Sequence, residues 1–338
     1  MQKMRLIINE PGVFVGTRGG LITVYKEKKK VLEVSTSKIN LVVFLTRGAS
    51  ISSALIRLLS KHSIPIVFYS SYGTPLTLCK SFTSGSILTR KAQYKAQNSK
   101  IGVELAKAFA IGKLMNQRSL LYSMAKNRAS TNPYLAKTLY ENSRNIKSKV
   151  EEIFKVEGEK TEDVRDEIMH IEAEAAQIYW ESISKALLKI IDFPGRKKRF
   201  EHPSDPVNVA LNYLYSILAG ECWLSLEICG LDPYAGFLHA DNSRRPALAM
   251  DLMEEFRQPI VDRVVFKAVF ERKLENAVEN GRLKRDARLT LYKYYAERMK
   301  EKLTFLNRSL PLENHILLQA RRIIEHIMER EKYQPFIS

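Results

Sequence analysis

Cysteine is scarce in this chain: Cys79, Cys222 and Cys229 are the only three in 338 residues. No two of them form a CxxC pair, which excludes a zinc knuckle and a disulfide framework and leaves reduced thiols as the simplest expectation. Long apolar runs are missing as well. The opening MQKMRLIINE lacks the apolar stretch of a secretory leader, and no later segment is long and apolar enough to cross a bilayer. A soluble, cytoplasmic protein with no membrane association is therefore expected. Arg18-Gly19-Gly20 has no GK[ST] ending and no helix after it, so it reads as a hairpin turn rather than a phosphate-binding loop. Tandem repeats and low-complexity tails are also absent. The HxxR element of a tyrosine recombinase is not met, because His326 is followed by Arg330, one residue too far.

What the chain has in excess is positive charge. Lys and Arg number 54 against 37 acidic residues, a formal net charge of +17. Such a surplus attracts polyanions, and nucleic acid is the commonest one a soluble protein meets. The basic residues are spread over long helical segments rather than packed beside one apolar stretch, which argues against attachment to an anionic membrane.

The hydrophobic period changes once. Over the first eighty or so residues, short runs such as RLIIN, VFVG, LITVY, VLEV and INLVVFL are broken by turn signals, and one helix, SISSALIRLLSKHS, precedes the strand IPIVFYS and a turn at Gly73 to Pro75. From about Leu88 the period becomes helical. Long helices are expected over Arg90–Lys126, Asn142–Leu188, Pro206–Ile228, Ala247–Lys273 and Asp286 to about Lys332, with Ser81–Ser86 as the linker. The fold class is thus α+β, a small N-terminal β-rich domain (1–84) followed by a larger all-α domain (85–338).

Glu172 is the sharpest local anomaly. At 100° per residue, Ile168, Ala175, Ala176, Tyr179 and Ile183 all fall within about 60° of it, so this carboxylate points along the middle of the packing face. Burial there requires a basic partner from a neighbouring helix or a metal ion. In ALAMDLMEEFRQP, Asp251 and Glu254 share one helix face, with Arg257 on the same side and able to neutralise Glu254. Pro259 cannot donate to the carbonyl of Glu255 and kinks or ends the helix. His239, in the loop GFLHADNSRRP, is the only one of six histidines in a Gly-flanked loop leading directly to that acidic pair. One histidine with two or three carboxylates, and no thiolate, suits Mg²⁺ or Mn²⁺ better than structural zinc. Such a cation would serve a phosphodiester.

These same stretches resemble the Cas-one family, the CRISPR-associated nuclease-integrases of spacer acquisition. SISSALIRLLSKHSIPIVFYSSYG is similar to the end of the family's β domain; RKAQY and LAKAFAIGKLMNQRSLL to its first long helices; and DPVNVALNYLYSIL to its central helix. MHIEAEAAQIYW matches the first metal-ligand motif, placing that ligand on Glu172. DPYAGFLHADNSRRPALAMDLMEEFRQPIVDRVV matches the other two, His239 and Glu254, with Asp251 as an accessory acidic position. Ala173 stands where the family commonly has Gly, and Glu254 is the longer of the Asp/Glu alternatives. The resemblance implies a catalytic helical domain, a homodimer with the β domain expected to carry the contact, and a dimer of the small companion protein Cas-two. It also implies strand transfer, in which the 3′-hydroxyl of a foreign DNA fragment attacks a phosphodiester of a CRISPR repeat, or endonuclease activity when water attacks. Arg90, Lys91, Lys113, Arg196, Lys197 and Arg199 are candidate contacts to the backbone of double-stranded or branched DNA. The alternatives are a branched-DNA repair nuclease, which would use the same residues, and a non-enzymatic DNA-binding scaffold whose acidic side chains only form salt bridges.

Overall fold

Turn chemistry organises the N-terminal strands. The structure is a computed structural model and describes residues 4–70, 75–81, 87–197, 201 and 203–338. Two compact units divide it, Met1–Ser84 and Gly85–Ser338. In the first, β2 (Val13–Arg18) and β3 (Leu21–Lys26) pair antiparallel across Gly19-Gly20, both at positive φ, so Arg18-Gly19-Gly20 is a hairpin turn. Next, β3 pairs antiparallel with β4 (Lys29–Ser35), and β2 pairs parallel with β6 (Ser50–Ile51). A second sheet runs β1 (Met4–Ile8), β5 (Ile39–Phe44), β7 (Ile66–Tyr69) and β8 (Pro75–Cys79), parallel except for its last pair. Helix α1 (Ser53–Lys61) starts where Ser52 Oγ accepts the Leu55 N–H at 3.2 Å, and it buries Leu55 and Leu59 with Val15, Ile22 and Val42. The turn expected at Gly73 and most of the Ser81–Ser86 linker lie outside the described residues.

The second unit is mostly helical: α2 (Ile87–Gln97), α3 (Lys100–Arg128), α4 (Pro133–Lys155), α5 (Thr161–Leu187), α6 (Pro206–Cys229), α7 (Ala247–Glu254), α8 (Arg263–Phe270), α9 (Arg285–Lys300) and α10 (Leu312–Ile327). Several spans expected as single helices are divided. Asn98-Ser99 separates α2 from α3, and residues 156–160 separate α4 from α5. The all-α expectation also needs correction, because two short hairpins interrupt the last third: β9 (Val278–Glu279) with β10 (Arg282–Leu283), and β11 (Lys302–Phe305) with β12 (Arg308–Pro311). Asn280-Gly281, both at positive φ, makes the first turn, and Leu306-Asn307, also positive, makes the second.

Pro259 acts as its chemistry requires. Helix α7 stops at Glu254, and a π-helical turn, Arg257–Asp262, carries the chain into α8. The carbonyl of Glu255, deprived of a proline N–H, accepts the side-chain amide of Asn116 on α3 at 2.9 Å. The same amide reaches the carbonyl of Phe336 at 2.8 Å. Gly112, one turn before Asn116, leaves room for two neighbouring side chains: a Cβ there would lie 2.9 Å from Glu255 Cγ and 2.9 Å from Pro335 Cβ.

Candidate functional site

Glu172 lies on α5 among the residues its helical phase predicts. Ile168, Ala175, Tyr179 and Ile183 are fully buried, while the Glu172 side chain keeps 16 % of its exposure at the edge of a cleft of about 1250 Å³. Lys113 on α3, Glu172, His239, Glu254 and Arg257 all line that cleft. Both sequence-level alternatives for the glutamates are realised. Glu172 bonds the ammonium of Lys113, a basic partner from a neighbouring helix, and Arg257 Nη2 lies 2.9 Å from Glu254 Oε1. The Lys113 Nζ is also 2.7 Å from Glu254 Oε2, so one ammonium is shared by two carboxylates from different helices.

Burial opposes ionisation of Glu254, but Arg257 and Lys113 outweigh it and hold the carboxyl well below the usual carboxylate range. Burial likewise opposes the charge on Lys113; the two glutamates overcome it and push the ammonium up. Glu254 and Lys113 are therefore both charged at neutral pH.

His239 is placed by a network that begins on α2. Gln93 and Gln97, four residues apart on one face, donate to the carbonyls of Asp232 and Ala235 at 2.8 Å and of Gly236 at 2.7 Å. Arg165 Nε donates to the carbonyl of Leu238 at 3.0 Å. Asp251, with no exposed surface, accepts the N–H groups of Phe237 at 2.6 Å, Leu238 at 3.1 Å and His239 at 2.9 Å. Its Oδ1 is also 2.7 Å from His239 Nδ1. A carboxylate that only accepts fixes the tautomer: Nδ1 carries the proton and Nε2 keeps its lone pair. Burial disfavours a second proton, but Asp251, Glu254 and Glu172 overcome it and push the imidazole up.

Would a hard cation fit here? Among the described residues, no three His, Cys, Asp or Glu side chains are arranged as a closed ligand set. The reason is visible in the contacts: the ammonium of Lys113 takes the point toward which both glutamates turn. That ammonium is a stand-in positive charge. Two carboxylates meet on it, and an imidazole oriented by a carboxylate lines the same cleft, which is a donor set suited to a hard divalent cation. The residues fit the group.

The basic candidates fall in several environments. Lys113 is buried on the two glutamates rather than displayed on a surface. Arg196 also lines the cleft; it donates to Asn208 Oδ1 at 2.9 Å and Asn212 Oδ1 at 2.7 Å, with its guanidinium 5.4 Å from the Tyr215 ring centre. Lys91 and Lys197 are exposed, Arg90 lies 3.9 Å from Glu227, and Arg199 is outside the described residues. Sequence reasoning passed over Gln93 and Gln97, though their repeat in AQYKAQ was a readable signal.

Beneath the cleft, Asp262 accepts hydroxyls from Tyr179 on α5, at 2.7 Å, and from Tyr215 on α6. Burial raises its carboxyl from 3.8 to about 6, against the pull of those hydroxyls, Arg257 and Arg196. The folded chain thus disfavours ionised Asp262. Its contribution to stability is complete below pH 3.8 and is lost as pH rises through about 6. A rise of that size corresponds to about 3 kcal/mol. Urea unfolding of Asp262→Asn beside the parent should show the variant gaining by about this amount between pH 4 and 7; a pH-independent difference would refute the assignment.

A β-rich unit followed by a helical unit bearing this acidic, histidine-containing cleft falls in the class of CRISPR-associated proteins. The family described as CRISPR associated protein Cas1 matches residues 6–297, and the chain belongs to it. A CRISPR-associated endonuclease Cas1 of Archaeoglobus fulgidus is 36% identical over 344 residues, covering 99% of each chain. Among solved structures, a casposase bound to integration product superposes with a TM-score of 0.76 at 24% identity, over 99% of this chain and 92% of that one. A Cas6-RT-Cas1–Cas2 complex matches with a TM-score of 0.74 at 19% identity, over 99% of this chain and 36% of that one. Among the described residues no helix is long and apolar enough to cross a membrane.

Proposed function

We propose that this protein is a metal-dependent DNA endonuclease and integrase that inserts foreign DNA fragments into a CRISPR array, by attack of a fragment's 3′-hydroxyl on a repeat phosphodiester. The observation that carries this reading is the convergence of Glu172 and Glu254, from two helices, on one positive charge, in a cleft that His239 also lines. Glu172, Glu254 and His239 Nε2 would hold the cation. A bound Mg²⁺ or Mn²⁺ would supply Lewis-acid stabilisation of charge on the scissile phosphate. The chain's own residues do the rest. Asp251 keeps His239 in one tautomer, and Arg257 stabilises the ionised form of Glu254. The exposed Lys91 and Lys197 and the cleft-lining Arg196 are placed to meet the DNA backbone without reading sequence.

The net charge of +17 and the casposase bound to integration product support DNA as the substrate. The Cas6-RT-Cas1–Cas2 complex supports a small Cas2 companion. A homodimer built on the β-rich unit is part of the same proposal. The test supplies leader–repeat DNA, 3′-ended duplexes, the companion protein and Mn²⁺. Joined products are expected; cleavage without joining would support a branched-DNA repair nuclease instead. The ion pairs at Glu172 and Glu254 favour one further reading, a scaffold with structural salt bridges. That reading predicts DNA binding with neither product.

A further inference from the structure

Lys113 is a buried cation on α3 whose two partners are the glutamates assigned to a metal. Its side chain is 8% exposed, and Nζ contacts Glu172 Oε1 and Glu254 Oε2 together. Two like charges brought to one point in a half-buried cleft repel, and without a counter-charge between them the pair is costly. The ammonium answers that cost, but at the same point where a divalent cation would sit. Both cannot occupy it.

The same helix face offers a second position. Gln117, four residues on, lines the same cleft, is 1% exposed, and has a carbonyl oxygen with no hydrogen-bond partner among the described residues. A buried acceptor without a donor is unfavourable, so it is available to an ammonium displaced along α3. Among the described residues the partner of Glu254 Oε2 is the Lys113 ammonium at 2.7 Å, so a lysine that leaves must be replaced there by another cation.

We propose that Lys113 is a resident counter-cation of the metal site: its ammonium fills the focus of Glu172 and Glu254 in the metal-free protein and moves toward Gln117 when a divalent cation enters. The inference rests on the metal-dependent reading above and adds a competition to it. Apparent metal affinity is lowered by the fraction of protein in which the lysine holds the site.

The experiment titrates Mn²⁺ into the metal-stripped full chain and reads free Mn²⁺ by electron paramagnetic resonance. Lys113→Met should bind Mn²⁺ at least about tenfold more tightly than the parent, while Glu254→Gln should lose binding. Equal or weaker binding by Lys113→Met, with Glu254→Gln impaired, overturns the competition and leaves the metal site standing. Equal binding by Glu254→Gln and the parent overturns the metal site itself. A second measurement needs no substitution and decides the matter if Lys113→Met does not fold. Crystals of the metal-free parent should show Lys113 Nζ between Glu172 and Glu254, and crystals soaked in Mn²⁺ should show it within hydrogen-bond distance of Gln117 Oε1 with the metal between the glutamates. Bound Mn²⁺ with Nζ unmoved overturns the proposal.

Discussion

Asp251→Asn is expected to lower the melting temperature by roughly 10 °C and weaken Mn²⁺ binding by about 10- to 100-fold. The argument is one of hydrogen-bond polarity. Three backbone N–H groups and the imidazole Nδ1–H converge on the two Asp251 oxygens, and no part of the side chain reaches water. An asparagine has the same shape but must turn its NH₂ toward at least one pair of donors. Two buried donors are then left facing another donor, a loss of about 3 kcal/mol in total. The His239 tautomer is no longer fixed either, so Nε2 need not present its lone pair to the cleft. Scanning calorimetry and Mn²⁺ titration check both parts. An unchanged melting temperature would show that the loop from Phe237 to His239 holds its shape without the carboxylate.

Glu172→Gln should behave differently, with activity lost and fold kept. Its side chain is partly exposed, whereas Glu254 is 1% exposed and carries two cations. Removing the charge from Glu172 leaves Lys113 with Glu254 as partner; removing it from Glu254 strips Arg257 and Lys113 together. Breaking a buried pair from one side costs about 3–5 kcal/mol, so Glu254→Gln should melt well below Glu172→Gln. In Mn²⁺-dependent DNA cleavage, Glu172→Gln should fall on the order of 10²- to 10³-fold, the equivalent of a few kcal/mol of transition-state stabilisation. DNA binding should stay at the parent level. Cleavage at the parent rate would leave the two glutamates as a salt-bridge device and support the scaffold reading.

The legible part of the fold followed period and punctuation. The change from strand to helical spacing and the hairpin at Gly19-Gly20 were readable, because turn glycines and apolar stripes are local properties. The two late hairpins were not, since strands of two to four residues are too short to interrupt a helical pattern; Asn280-Gly281 was the one local cue to them. In the cleft, Glu172 stood out as a carboxylate on an apolar stripe. Lys113 satisfies the same test, lying seven residues after Ala106, four after Phe109 and seven before Leu120, all buried. It passed as one basic residue among many because a net charge of +17 makes a single lysine look ordinary. Pairing Lys113 with Glu172 spans 59 positions, and no local pattern encodes that.

Gly112 sets a limit on what this arrangement tolerates. The missing side chain lets the Glu255 side chain pack against α3, and the next residue along is the lysine whose ammonium touches both carboxylates. Room for two neighbouring side chains has thereby become part of the setting of a charge. A single methyl group at Gly112 would force Glu255 or Pro335 to shift against the helix that carries the lysine, with every polar side chain of the cluster still in place.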